Sequence, residues 1–90
     1  MADTPVHGDD PFGPIRPSDA VDGWELAGDA GSWWLVKHFG SASGSIRPTT
    51  RTTCAWRIDD GDGRMVREVS ARSVADARAA ADEWIRGTAD

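Results

Sequence analysis

Hydrophobic and polar residues alternate along parts of the chain, as they do in strands with one buried face. Residues 32–39 read SWWLVKHF, and residues 46–58 read IRPTTRTTCAWRI, which is rich in β-branched side chains. Residues 64–69, RMVREV, follow the segment DDGDG at residues 59–63, which predicts a hairpin turn. With the serines and glycines of residues 40–45 as a flexible loop, the pattern predicts three antiparallel strands in a meander.

The C-terminal part of the chain has helical periodicity. Ser73 is the predicted N-cap, with Asp76 at the capping-box position, and Gly87 predicts the helix end. One apolar stripe should lie across the sheet and contains Val74, Ala77, Ala81, Trp84 and Ile85. The predicted fold is α+β, a three-stranded antiparallel β-meander followed by one C-terminal helix packed on one face.

The N-terminal residues have a different composition. Residues 1–22 contain four of the five prolines and five aspartates, with little hydrophobic periodicity. This composition predicts a flexible or extended acidic tail, followed by a single β-β-β-α domain at residues 23–90. The apolar exceptions, which could dock onto the domain as an extended segment, are Val6, Phe12, Ile15 and Val21.

A single helix covers one sheet face, so the alternation predicts which strand residues remain open. Cys54, Trp56 and Ile58 should face the helix, because the opposite choice would bury arginines without partners. The other residues assigned to this face are Trp33, Leu35, Phe39, Met65 and Val69, although a bulge would reverse the assignment of the first strand. The open face then carries the candidate binding residues, which are Trp34, His38, Arg47, Arg51, Arg57 and Arg64.

The composition indicates the kind of source organism, and the charge distribution indicates a candidate binding face. Nine arginines accompany one lysine, which indicates a gene of high G+C content, typical of an actinobacterium or one of its phages. The net charge of −5 is uneven, with −6 in residues 1–30, +3 in residues 31–72 and −2 in residues 73–90. Such asymmetry is typical of a binding face with a masking tail, or simply of an arginine-rich solvated sheet.

One cysteine excludes an intrachain disulfide, and the absence of a signal sequence or apolar span predicts a cytoplasmic protein without a membrane partner.

The order of these elements resembles a known family. Residues 31–86, with GSWWLV, AWRIDDGDGRMVREV and SARSVADARAAADEWI, resemble the AP2-like arm-binding N-terminal domains of phage integrases. They also resemble small uncharacterised actinobacterial and actinophage proteins, which imply no activity. The integrase resemblance implies a sheet that lies in the DNA major groove and reads it through Trp34, Arg47, Arg51, Arg57 and Arg64. Unlike those domains, this chain is acidic overall.

Catalytic and metal chemistry finds little support in the sequence. DDGDG lacks the ligand spacing of an EF-hand, since Ala71 occupies the twelfth position counted from Asp60. His38 and Cys54 are too few for a zinc site and are assigned to opposite faces. No serine or cysteine has a recognisable histidine base and carboxylate around it. We therefore expect a non-enzyme without a cofactor.

The sequence leaves three candidate functions open. The first is a protein–protein interaction module, such as a phage or mobile-element accessory protein that binds a host protein through a Trp/Arg face. The second is a DNA-binding module that uses the same sheet. The third is a structural homodimer.

Overall fold

The computed structural model describes residues 12–89, which form an antiparallel sheet with a helix across one face. A 3-10 turn at Pro17–Asp19 precedes the sheet. The strands are β1 (Glu25–Asp29), β2 (Ser32–Phe39), β3 (Ala42–Pro48), β4 (Cys54–Asp59) and β5 (Met65–Ala71), and helix α1 (Val74–Ala89) follows. The strands pair in sequence order, so the meander is confirmed, as is the α+β class with a C-terminal helix.

The sheet has five strands, and the prediction of three is wrong. β1 is a five-residue strand whose sequence, ELAGD, lacks a strand signature. Gly28 within it has a left-handed φ of +86°. β3 contains the segment expected to be a flexible loop, because its small residues pair with β2 from Phe39↔Ala42 to Leu35↔Ile46. Serine and glycine have low β-propensity, but strand pairing and burial determine the conformation here.

The segment predicted as one strand at residues 46–58 is two strands joined by a threonine-rich turn. The Thr49 and Thr50 amides both donate to the Thr53 carbonyl, and the Thr53 hydroxyl lies 2.8 and 2.7 Å from the hydroxyls of Thr49 and Thr50. The threonine hydroxyls thus form hydrogen bonds within a turn, and these residues do not continue the strand pairing of β3 and β4. β-Branched residues suggest a strand, but Pro48 ends β3 and the chain reverses.

The core lies between α1 and one face of the sheet, as the alternation predicts. Its buried strand residues are Leu35, Ile46, Cys54, Trp56 and Ile58, with Trp33, Phe39 and Val69 partly buried against them. Met65 was expected on this face but is 51% exposed. A bulge between Ile58 and Asp59 shifts the pairing at the start of β5, so the simple alternation fails for Met65.

Helix α1 packs through the predicted stripe. Val74, Ala77 and Ala81 are buried, and Trp84 and Ile85 are partly buried against the core. The Ser73 hydroxyl accepts a hydrogen bond of 3.1 Å from the Asp76 amide, which confirms the N-cap. The helix continues through Gly87 to Ala89, so the predicted stop is wrong. A glycine costs a helix about 1 kcal/mol relative to alanine, which does not by itself end it.

The chain before β1 packs on the sheet face that carries α1. Ile15 is fully buried in the core cluster, and Arg78 of α1 donates a hydrogen bond of 3.1 Å to the Asp19 carbonyl. Of the apolar residues of this segment that were expected to be able to dock, Ile15 does so, whereas Phe12 and Val21 are 44% and 43% exposed. The remainder of the predicted tail, with Val6 and His7, lies outside the described residues.

Candidate functional site

The sheet face opposite α1 is the candidate site, because both α1 and residues 12–22 pack on the other face. Strand pairing sets side chains across this open face in rows. One row contains Ala27, Trp34, Arg47, Ala55 and Ser70, and the next contains Glu25, Val36, Ser45, Arg57 and Glu68. Cross-strand neighbours of this kind lie about 5 Å apart, which allows side-chain contact along each row.

Trp34 and Arg47 form the central contact of the open face. The Arg47 guanidinium carbon lies 3.9 Å from the centroid of the Trp34 ring. Gly28 provides room on β1, because a Cβ at that position would lie only 2.8 Å from the Trp34 Cδ1 atom. The stack holds a partly buried indole and an exposed guanidinium in one arrangement, with a cation–π energy of about 0.5–1 kcal/mol.

The second arginine of the open face has an acidic environment. Arg57 Nε donates to Asp59 Oδ1 at 2.9 Å, and Arg57 faces Glu68 across the β4–β5 pair. Together with Glu25 on β1, the open face carries three carboxylates against the two guanidinium groups of Arg47 and Arg57. The +3 charge of residues 31–72 in the sequence is therefore not the charge of this face.

The structure separates the remaining predicted binding residues. His38 is exposed near the end of β2, four residues beyond Trp34, and therefore about 13 Å away along the strand. Arg64 lies in the turn between β4 and β5, where its amide donates to Asp60 Oδ1 at 3.0 Å. Arg51 lies in the Thr49–Thr53 turn rather than on a strand. Of the six candidates, the structure brings only Trp34 and Arg47 into contact.

Three exposed arginines lie at one end of the sheet, which we call the arginine end. Arg47 is next to the end of β3, Arg51 lies in the turn that follows, and Arg72 comes after β5, whose Ala71 pairs with Cys54. None of the three forms an ion pair with another of the residues 12–89. Sequence reasoning missed Arg72, because only the pairing of β5 with β4 places it at this end.

Other chemistry is limited within the described part of the chain. The structure there contains no group of three or more His, Cys, Asp or Glu side chains that could hold a metal ion. Burial raises the pKa of the Cys54 thiol, and the carboxylates of Asp19 and Asp76 raise it further, so this thiol is buried and protonated. Across residues 12–89, no helix has the length and apolar character needed to span a membrane.

A shallow cavity of about 270 Å³ lies beside α1 on the helix side of the sheet. It is lined by Lys37, Phe39, Asp82, Ile85 and Arg86. The Lys37 ammonium already donates to Asp82 Oδ1 at 2.9 Å and to the Asp22 carbonyl at 2.8 Å, so its charge is used in holding α1 and the N-terminal segment to β2.

The geometry of the open face, with its Trp34–Arg47 stack, is therefore the basis for choosing it as the candidate site. Comparison with protein-family models, with curated proteins and with solved structures finds no match for this chain.

Proposed function

We propose that this chain is a non-enzymatic interaction module that binds a protein partner in the cytoplasm through the open sheet face around Trp34 and Arg47. The stack of these two side chains is the observation that carries the proposal. Tryptophan and arginine are the residue types most enriched at binding hot spots. A side chain already held in one arrangement loses less conformational entropy on binding than a free one.

The charge of the open face favours a protein over DNA. A duplex laid along the whole sheet would bring the carboxylates of Glu25, Asp59 and Glu68 toward its phosphates, which is unfavourable. A protein surface can instead meet this mixture of charges with complementary groups of either sign.

DNA binding remains the second candidate because of the arginine end. The unpaired guanidinium groups of Arg47, Arg51 and Arg72 could each contact a phosphate, in keeping with the resemblance to integrase arm-binding domains. Three such contacts predict that the logarithm of affinity falls with the logarithm of salt concentration with a slope of about −2.7. A protein interface centred on the Trp34–Arg47 stack predicts a shallower slope.

The test is affinity capture from an extract of the source organism by the full chain and by Trp34→Ala. We expect Trp34→Ala to weaken capture about 30-fold, which corresponds to about 2 kcal/mol for a hot-spot residue. Thermal melts should show that Trp34→Ala still folds, since Trp34 lies outside the core cluster. Val21→Ala is the matched control, because Val21 is 43% exposed and belongs to the segment that packs on the opposite face.

The outcomes separate the three functions. Capture that survives nuclease treatment and depends on Trp34 supports the protein-binding module. Capture that nuclease abolishes, with a steep salt slope, would replace it with the DNA-binding module. Self-association in sedimentation that Trp34→Ala abolishes, without any captured partner, would replace it with the homodimer. Equal capture by Trp34→Ala and the parent would exclude the open face.

A further inference from the structure

The arginine end carries positive charge that the contacts of the fold do not use. Arg51 and Arg72 are exposed, and neither side chain forms a hydrogen bond or an ion pair with another residue in the range 12–89. By contrast, Arg57 on the same sheet is bound to Asp59. Within the described chain, both guanidinium groups of the arginine end are therefore available to a ligand.

The Trp34–Arg47 stack holds a third guanidinium ready for an anion. The Arg47 guanidinium carbon lies 3.9 Å from the centroid of the Trp34 ring, so the ring occupies one face of the guanidinium. The N–H groups of a guanidinium lie at its edges, in its own plane, and they match the two oxygens of a carboxylate. Arg47 can therefore bind an anion without leaving the ring.

Small uncharged side chains follow Arg47 along its row of the open face. The next two strands place Ala55 and Ser70 there. β2 and β5 are three strand spacings apart, which is about 14 Å. Five extended residues span about 17 Å, so such a segment can cross the sheet from Trp34 on β2 to Arg72 after β5.

A narrow ligand reaches these arginines without approaching the carboxylates of the open face. Glu25 and Glu68 lie in the next row, about 7 Å from the row of Arg47 along the strands. The major groove of a duplex is about 12 Å wide, so a duplex with one backbone on the arginine end would bring its other backbone toward those carboxylates. A single extended peptide has no second backbone and avoids this repulsion.

The stack also disfavours a single-stranded nucleic acid. Such strands bind largely by stacking their bases on aromatic rings. The Arg47 guanidinium covers one face of the Trp34 ring, and a base would have to displace it to stack there. An apolar side chain of a peptide can instead pack against the exposed part of the indole while the guanidinium stays in place.

The described part of a second copy offers little of the complementary charge. Its acidic turn at residues 59–63 lies at the other end of β4, where Asp59 is bound to Arg57. Asp60 Oδ1 accepts hydrogen bonds from the Asp62 and Arg64 amides. Two of the three carboxylates in this turn are therefore already engaged within it.

We propose that the partner of the open face is a protein that presents an extended acidic segment across the arginine end. Carboxylates of that segment bind the guanidinium groups of Arg47, Arg51 and Arg72, and an apolar side chain beside them packs on Trp34. The inference rests on the proposed function for the partner being a protein, and it adds the chemistry of the surface that the chain recognises.

The test measures the binding of two synthetic peptides to the full chain by ¹⁵N NMR. The acidic probe is a peptide with blocked ends, in which aspartate alternates with serine around a central leucine. The second probe has asparagine in place of aspartate. We expect the acidic probe to bind about tenfold more tightly and to shift the amide signals of Trp34, Arg47 and Ser70. Signals of Ala79 and Glu83, which are exposed on α1, should not move.

Paired arginine variants locate the charge that matters. Arg51→Gln with Arg72→Gln should weaken binding of the acidic probe about tenfold, because it removes two charge-assisted contacts. The matched control is Arg67→Gln with Arg86→Gln, which removes the same charge from two other exposed arginines. The control should change binding by about twofold at most, because salt screens distant charges. Thermal melts of both variants should match the parent, since none of the four side chains forms an ion pair within residues 12–89.

Four results would overturn the proposal. They are equal binding of the two peptides, no binding of either, equal losses in the two double variants, and tighter binding of a single-stranded or duplex oligonucleotide than of the acidic probe at the same salt concentration. The last result would assign the arginine end to nucleic acid. Self-association in sedimentation that Arg51→Gln with Arg72→Gln abolishes would instead assign it to a second copy.

The capture assay separates this proposal from the proposed function. If Trp34→Ala weakens capture but Arg51→Gln with Arg72→Gln captures like its control, the open face binds a protein of another chemistry and the acidic segment is refuted. If the acidic probe binds at the arginine end but Trp34→Ala captures like the parent, the proposed function fails and the anion-binding surface remains.

Discussion

The Cys54 thiol couples the stability of the core to pH. Burial, together with the charges of Asp19 and Asp76, raises its pKa above the ordinary value of 9.0. The folded state therefore holds the proton more tightly than the unfolded state. This contribution to stability is complete below about pH 9 and is lost as pH rises through the folded pKa.

We therefore predict that the free energy of unfolding of the parent falls between pH 9 and pH 10 by more than that of Cys54→Ala. The slope can reach at most about 1.4 kcal/mol per pH unit for one proton. Urea titrations at pH 7, 8, 9 and 10 measure it. The comparison of slopes removes the constant cost of the cavity in Cys54→Ala. Parallel curves for the two chains would mean that the thiol titrates alike in the folded and unfolded states.

The paired tryptophans show what alternation can predict for single residues. Trp33 faces the helix side and Trp34 the open side, as strand geometry requires. Neither is fully buried, however, and the most buried tryptophans are Trp24 and Trp56. Trp24 lies just before the short strand β1, and nothing in its local sequence indicates that its ring packs edge-to-face on Phe39, with centroids 6.1 Å apart.

At the scale of elements, the sequence predicts those that carry their own signal. β2 matches its predicted range, the β4–β5 hairpin has its turn at DDGDG, and α1 starts at the predicted cap. β1 and the first part of β3, up to residue 45, are not predicted, because the small residues there become strand only through pairing with β2. The conformation of those segments is determined by partners distant in sequence.

Gly44 shows this dependence most clearly. It lies in β3 on the helix side, where an added Cβ would be 2.9 Å from Phe39 Cε2, 3.2 Å from Trp24 Cη2 and 3.3 Å from Ile58 Cδ1. In an open strand, glycine to alanine should gain about 0.5–1 kcal/mol of stability. Here we predict a net loss of about 1–2 kcal/mol, because overpacking costs about 1–3 kcal/mol.

The measurement is a pair of urea unfolding curves for Gly44→Ala and Ser43→Ala. Ser43 is the neighbouring residue of the same strand and points to the open face, so its substitution isolates strand propensity from core packing. A gain of stability for Gly44→Ala would contradict the packing of Trp24 and Phe39 over β3.

At the scale of the whole molecule, charge and site depend on the register of the strands. The sequence assigns Trp34 and Arg47 to one face, but it treats Arg51 as a strand residue and omits Arg72. It also counts +3 for a segment whose open face carries more carboxylates than arginines. Lys37, the single lysine, contributes to that count but lies on the helix side, where it binds Asp82. Summing charge along a segment cannot separate two faces of a sheet.

The chain before β1 is the part of the molecule whose role changes most between sequence and structure. Composition alone suggests a tail as far as residue 22, yet Ile15 is fully buried and Arg78 binds the Asp19 carbonyl. Lys37 further ties this segment to the sheet through the Asp22 carbonyl. If these contacts are part of one cooperative core, residues 12–22 should unfold together with the sheet and α1.

We therefore predict that Ile15→Ala lowers the free energy of unfolding by about 2–5 kcal/mol, the usual cost of removing a buried isoleucine side chain. Val21→Ala, in the same segment but at a position 43% exposed, should change it by no more than about 0.5 kcal/mol. A loss of the predicted size is a large fraction of the stability of a small domain, so Ile15→Ala should also lower the melting temperature by many degrees. Native-state hydrogen exchange adds a second readout, since Ile15→Ala should then speed exchange of the Leu35 and Ile46 amides in the central strands. If both variants melt like the parent, residues 12–22 rest on the sheet without contributing to its stability, and the domain that unfolds cooperatively begins at β1.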